Sequence, residues 1–377
     1  MEGGTLTLNG DGSSFNHVVL AGTAEGVVLD VNRNTVMGDL TDSGEGADLN
    51  IGSGATLTIN DASSLSASTI QGSGTLALHD TLALSGTASL QGGVLLDLVK
   101  NGDSTGTLDL GSTTGNTVAG ISGQGTLKSN GGALAVNTGN SGSGSVFSGT
   151  LEGRGQLNIS GNAGQTLENV ITAAGSNWAI NNTGRLNIKM GGTVEDPRAN
   201  TALTLSSLTL GDGSSTNLTF NTDYAGPIIS VTGNISISQG AEITLSSTGK
   251  NELTLGADGS YTLMHADGTI DLGGSDRLAI LLDPSSSAFK KFENDAYLVM
   301  ENGNLVLVAT ASKDNKYARL ADTVNSRAGA ELLWNLPGDL AADSILKKVD
   351  DAVGALTSSN PSEAKRVMAA VAGSTVN

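Results

Sequence analysis

Polarity along the chain repeats one short phrase: a Gly-x-Gly or Gly-Ala opening, then Leu or Ile alternating with a small residue, then Asn, Asp or Gly. Gly4-Thr5-Leu6-Thr7-Leu8-Asn9-Gly10 and Gly54-Ala55-Thr56-Leu57-Thr58-Ile59-Asn60-Asp61 are two instances. Gly72-Ser73-Gly74-Thr75-Leu76-Ala77-Leu78, Gly123-Gln124-Gly125-Thr126-Leu127, Gly153-Arg154-Gly155-Gln156-Leu157-Asn158-Ile159 and Gly240-Ala241-Glu242-Ile243-Thr244-Leu245 are others. Alternation over four to six residues is the period-two signature of half-buried strands, and the Gly, Asn and Asp groups are turns. The strands are too short and too numerous for a Rossmann or TIM arrangement, and no helical pattern lies between them. Successive openings stand 20 residues apart (Gly52 to Gly72), 51 apart (Gly72 to Gly123) and 30 apart (Gly123 to Gly153). Multiples of one imperfect coil with inserted loops produce such spacing. The pattern therefore predicts an all-β fold, a right-handed parallel β-helix over residues 1–312, whose inward Leu, Ile and Val fill a narrow core. At roughly 20–25 residues and about 4.8 Å per coil, such a rod is about 60–70 Å long.

The pattern changes after Ala311. Residues 313–377 hold four of the 53 glycines, and their apolar positions take a helical period. Tyr317, Leu320, Val324 and Leu332 mark a first predicted helix, ended by Pro337-Gly338. Leu346, Val349, Val353 and Leu356 mark a second. The third opens on Asn360, Pro361 and Glu363, a capping-box arrangement, and carries Ala364, Val367, Met368 and Val371 on one face. This gives three parts: repeats over 1–230, denser aliphatic and aromatic coils over 231–312, and a short α-helical segment over 313–377.

The hydrophobic fraction of 38% and its regular spacing argue against disorder despite the abundant Gly, Ser and Thr. The net charge is −18. Residues 313–377 carry eight acidic and eight basic side chains, so the whole imbalance, 29 acidic against 11 basic, belongs to residues 1–312. So acidic a chain repels phosphate backbones, which excludes nucleic acid as an expected partner. With no cysteine, disulfides, zinc–thiolate sites and thiol catalysis are excluded together. Neither a basic n-region with an apolar h-region after Met1 nor an apolar run of about 18 residues is found, so the sequence reads as opening within a repetitive region, its export signal missing.

With its order of repeats, denser coils and helical tail, the sequence resembles the C-terminal part of autotransporter passenger domains, the secreted β-helices of type V secretion. The Gly-x-Gly-Thr-Leu units are similar to that family's strand repeat. Val231-Thr232-Gly233-Asn234-Ile235-Ser236-Ile237 with Gly240–Leu245 resembles its last regular coils. Tyr261-Thr262-Leu263-Met264, Leu278-Ala279-Ile280, Tyr297-Leu298-Val299-Met300 and Asn304-Leu305-Val306-Leu307-Val308 resemble its capping, autochaperone coils. The tail ending Ala369–Asn377 resembles the linker before the membrane barrel, whose strands do not follow. The resemblance implies a bacterial cell-surface location, export through periplasm and outer membrane, and the chain's own β-barrel translocator as a partner. It also implies an adhesin or self-associating scaffold, with surface glycans or proteins as ligands.

Candidate chemistry is sparse, and no catalytic, cofactor-binding or metal-ligating residue is assigned. His17, His79 and His265 are far apart, without Cys or Glu at ligand spacing, and read as coil-edge residues. Asp11-Gly12-Ser13, Gly211-Asp212-Gly213 and Gly273-Gly274-Ser275-Asp276 lack the nonapeptide ladder of calcium-binding β-rolls. The rival class is a polysaccharide-active β-helix enzyme, which needs two carboxyl groups about 5–10 Å apart and usually aromatic platforms. Aromatics are only 3% of the chain, and Trp178 and Trp334 lie in different regions. Glu195-Asp196-Pro197-Arg198 is the densest charged loop of the coil region and reads first as a solvated loop between coils, and inserted loops such as Asn177–Asn200 are the place to look for such a pair. A structural surface-layer component is the third class. The expectation is of no cofactor and no turnover.

Overall fold

The computed structural model describes residues 4–21, 27–44, 46–139, 144–190, 202–221, 226–248, 261–289 and 292–311. They form an all-β parallel solenoid of about ten turns. One inward column traces its length: Phe15, Met37, Ile59, Leu78, Leu98, Gly123, Phe147, Leu167, Ile188, Leu218, Leu245 and Leu282 pair in sequence. Eleven steps of about 4.8 Å span roughly 53 Å. Coils of 19–25 residues run as far as Ile188, as the repeat predicts, but Leu218 pairs with Leu245, 27 residues on, and Leu245 with Leu282, 37 residues on. The additional length lies between strands, so insertions lengthen turns without shifting the inward register.

Alternation produces the core directly. Thr56–Ile59, Thr75–Leu78 and Leu95–Leu98 stack in parallel. Leu57, Ile59, Leu76, Leu78, Leu96 and Leu98 are fully buried. Each inward side chain rests on its counterparts one coil above and below, so removing one opens a gap between two neighbours. The Gly-x-Gly corners have a steric cause. Gly123 has φ of 93°, and a Cβ there would lie 2.1 Å from the Leu98 carbonyl oxygen of the preceding coil. Gly155 makes room of another kind, since its Cβ would come 2.7 Å from the Trp178 ring. Trp178 is buried in the core, and its indole N–H donates to the Glu152 carbonyl at 3.1 Å.

Where the ladder is interrupted, buried polar side chains take over main-chain hydrogen bonds. Asn116 Oδ1 accepts from Leu90 N, Ser63 Oγ from Leu40 N and Ser68 Oγ from Ala47 N. A buried N–H left unpaired costs more than the bond itself returns, which explains polar residues in these inward positions.

The two ends differ. Parallel pairing runs on through Ile270–Asp271 to Arg277–Leu282, and at this end Tyr261–Ala266 and Arg277–Leu282 each also take an antiparallel partner. Tyr261–Ala266 pairs parallel with Ile229–Val231 on one side and antiparallel with Asn304–Ala311 on the other. Asn304–Ala311 continues antiparallel to Phe292–Glu301, which continues to Arg277–Leu282. Arg277–Leu282 returns to the parallel stack against Glu242–Ser247. Two faces of the solenoid are thus joined around its end, which removes their free edges. Phe220 stacks on Tyr261 with centroids 5.3 Å apart and packs against Phe289, and Leu298, Leu305 and Leu307 are buried in the same core. At the opposite end, Gly4–Leu8 and Ser13–Leu20 pair only with Val27–Val31 and Thr35–Asp42 among the described residues. Leu6, Phe15 and Val19 are exposed there. The helices expected over residues 313–377 lie outside the described residues.

Candidate functional site

The side walls carry the outward half of each strand, and their columns are polar. Thr81, Thr107, Thr126 and Thr150 stand in register on four successive levels. Beside them Asp109, Lys128 and Glu152 form a charged column, with the ammonium 3.7 Å from one carboxylate and 3.4 Å from the other. Lys189 pairs with Glu168 on adjacent levels. Thr166, Asn187, Asn217 and Thr244 follow one another along the next wall. Such columns present hydroxyl, amide and carboxylate groups at the strand spacing, a repeated array of hydrogen-bonding groups without a pocket.

A depression of about 380 Å³, open to solvent, sits where this wall meets the closed end. Asn217, Thr244, Ser246, Leu281, Leu282, Asp283 and Pro284 line it. Ser246 Oγ donates to Asn217 Oδ1 at 3.1 Å. Bonds from Ser285 Oγ (2.7 Å) and Ser285 N (2.9 Å) hold the Asp283 carboxyl below its ordinary value, against burial and with help from Ser246. A carboxylate kept ionised can accept hydrogen bonds from a ligand but is the reverse of a general acid, which needs a raised pKa. Among the described residues, Asp283 is the single carboxylate lining this depression.

The histidines stay apart. His17 Nδ1 lies 2.6 Å from Asp39 Oδ2 on the first two levels, His79 is half-buried, and His265 faces Asn304 and Asp267 near the closed end. No group of three His, Asp or Glu side chains able to hold a metal ion occurs among the described residues. Trp178, a conceivable sugar platform from sequence, packs inward instead, and Tyr261 is likewise enclosed. The stretch from Asn177, expected as an inserted loop, instead forms the stack strands Asn177–Asn182 and Arg185–Lys189, because its alternating Trp178, Ile180, Leu186 and Ile188 point inward. Glu195, Asp196 and Trp334 lie outside the described residues. Sequence reading did not single out Asn217, Ser246 or Asp283, because Asn, Ser and Asp recur at the turns of nearly every coil and nothing local distinguishes these.

Asp42 is a further carboxylate that sequence reading passed over, and its role is architectural. Burial, the largest single influence, pushes its pKa up. Hydrogen bonds from Ala67 N, Ser66 Oγ, Ser66 N and Ser68 N together outweigh that and hold it at about 2. The carboxylate therefore caps the turn of the next coil. No protein-family model, no curated protein and no solved structure matches this chain.

Proposed function

We propose that the chain is a passenger-type β-helix of the autotransporter kind, exported to the bacterial cell surface, where it acts as an adhesive or self-associating scaffold without catalysis. In this reading the coil is right-handed, in keeping with the strong preference of parallel crossovers for that hand. Residues 313–377 form the helical linker to a β-barrel translocator. The observation that supports it best is the pairing of one closed end with long side walls whose columns repeat hydroxyl, amide and charged groups at the strand spacing. Ligand binding by such a wall is weak per contact and is strengthened by repetition along the rod. The partners are glycans or proteins of host or bacterial surfaces, and the acidity of residues 1–312 keeps nucleic acid away.

A binding array of glycans and matrix proteins, probed with the full chain, tests this. Retention on a restricted set of ligands is the expected outcome. Retention on none of them, together with ordered self-assembly in solution, would favour a purely structural surface-layer component.

A further inference from the structure

A histidine lies at the seam between Tyr261–Ala266, the last strand of its face to pair in parallel, and Asn304–Ala311, which closes the end. His265 lies on Tyr261–Ala266, opposite Ser230 on one side and Asn304 on the other. Its Nδ1 is 2.9 Å from Asn304 Oδ1 and its Nε2 is 3.1 Å from Asp267 Oδ1. The Asn304 amide is oriented with its Oδ1 toward the ring and its Nδ2 toward the Asn302 carbonyl, at 3.4 Å. Asn302 and Gly303, with φ of 49° and 76°, form the tight hairpin turn that places Asn304 beside the ring. Both groups facing the imidazole are thus acceptors. Neutral imidazole has one N–H and satisfies only one of them, whereas imidazolium satisfies both.

We propose that His265, Asn304 and Asp267 form a proton-operated latch: the doubly protonated ring pins the closing strand Asn304–Ala311 to the last parallel strand, and loss of one proton slackens it. Charges around the ring act in the same direction. Ile229–Val231 contributes only Ser230, Asn304–Ala311 carries no ionisable group, and the hairpin adds Glu301 opposite Asn304. Asp267 and Asp271 follow on the same stretch of chain, and no Lys or Arg lies on any of these strands. The hydrogen bonds to Asn304 and then to Asp267, with the negative charge of Asp267, raise the His265 pKa above its ordinary value, against a small lowering by burial. A raised folded-state pKa means that the stabilisation is complete below the ordinary histidine range. It is lost as pH climbs through the raised value.

Two readouts on the intact chain test the latch. In a ring-proton NMR titration, the His265 signal (assigned by its absence from His265→Gln) is expected to titrate above 6.5, the ordinary value. In hydrogen exchange corrected for intrinsic rates, protection of residues 304–308 is expected to fall about three- to ten-fold from pH 5.5 to pH 8.5, the factor one net hydrogen bond supplies. Strand Thr126–Asn137 is expected to change little, and Asp267→Asn is expected to lower the His265 titration. A ring that titrates at or below 6.5 overturns the proposal, and where the glutamine variant fails to fold, His265→Asn supplies the assignment. Equal pH dependence of protection in the parent chain and His265→Gln also overturns it.

Discussion

Gln165 faces inward in a column otherwise filled mainly by Leu and Ile, and its amide replaces a stretch of missing ladder. Strands Gly120–Gly123 and Ser145–Phe147 pair only at Gly123 and Phe147, so Ile121 has no direct main-chain partner on that side. Gln165 Oε1 accepts from Ile121 N at 2.9 Å, and its Nε2 donates to Ile121 O at 2.9 Å. Gln165→Leu keeps the volume but strands both groups, which is expected to cost about 2–4 kcal/mol. Chemical denaturation compared with Thr166→Ser, an outward change on the same strand, measures it. Asp42 provides a pH-dependent counterpart. Its pKa is depressed to about 2, so its contribution is full above the ordinary value of 3.8 and is lost as pH falls through about 2. Asp42→Asn is therefore expected to be less stable than the parent chain by about 1–2 kcal/mol near neutrality, with the gap closing on acidification from about pH 5 to about pH 2. Parallel thermal melts across that range check it, and a gap that stays constant would contradict the capping role.

At the scale of elements, the strands of the stack were legible because period two places Leu and Ile inward wherever a coil has the ordinary length. Turn positions were legible too, since glycine at close corners has few substitutes. Other features were hidden for physical reasons. Alternation is the same in parallel and antiparallel strands, so the reversal at Arg277–Leu282 leaves no local mark. Leu95 and Leu281 look like core residues by type, yet they are 41% and 49% exposed because they hold the outward phase beside buried neighbours. Gln165 and Asn116 read as surface residues until the broken ladder around them is seen. The closing strands also give the molecule a direction. A linear stack gains stability from neighbour contacts, and a closed end supplies a template on which coils add. Deleting residues 231–312 is expected to abolish folding of the remainder, whereas deleting residues 1–100 leaves a folded, shorter stack. Far-UV circular dichroism and limited proteolysis of both truncations decide this, and equal damage from each would contradict the polarity.

At the scale of the whole molecule, a narrow stack of Leu, Ile and Val holds outward columns of Thr, Asn, Ser and charged residues in fixed register. The proposed adhesive role uses that register as it stands: a ligand meets repeated hydrogen-bonding groups, and nothing needs to move. An enzyme on the same scaffold would instead need two carboxyl groups in reach of one bond, with one of them raised in pKa. Asp283, in the depression beside the closed end, is shifted the opposite way. The most direct test of a binding wall without turnover is incubation of the full chain with a panel of surface polysaccharides, scored for retained protein and for released product. Reducing ends and unsaturated sugars report the product. Retention with no product above background is the expected result. Release of oligosaccharide that disappears in the Glu195→Gln, Asp196→Asn double variant would contradict it and assign turnover to those two carboxylates.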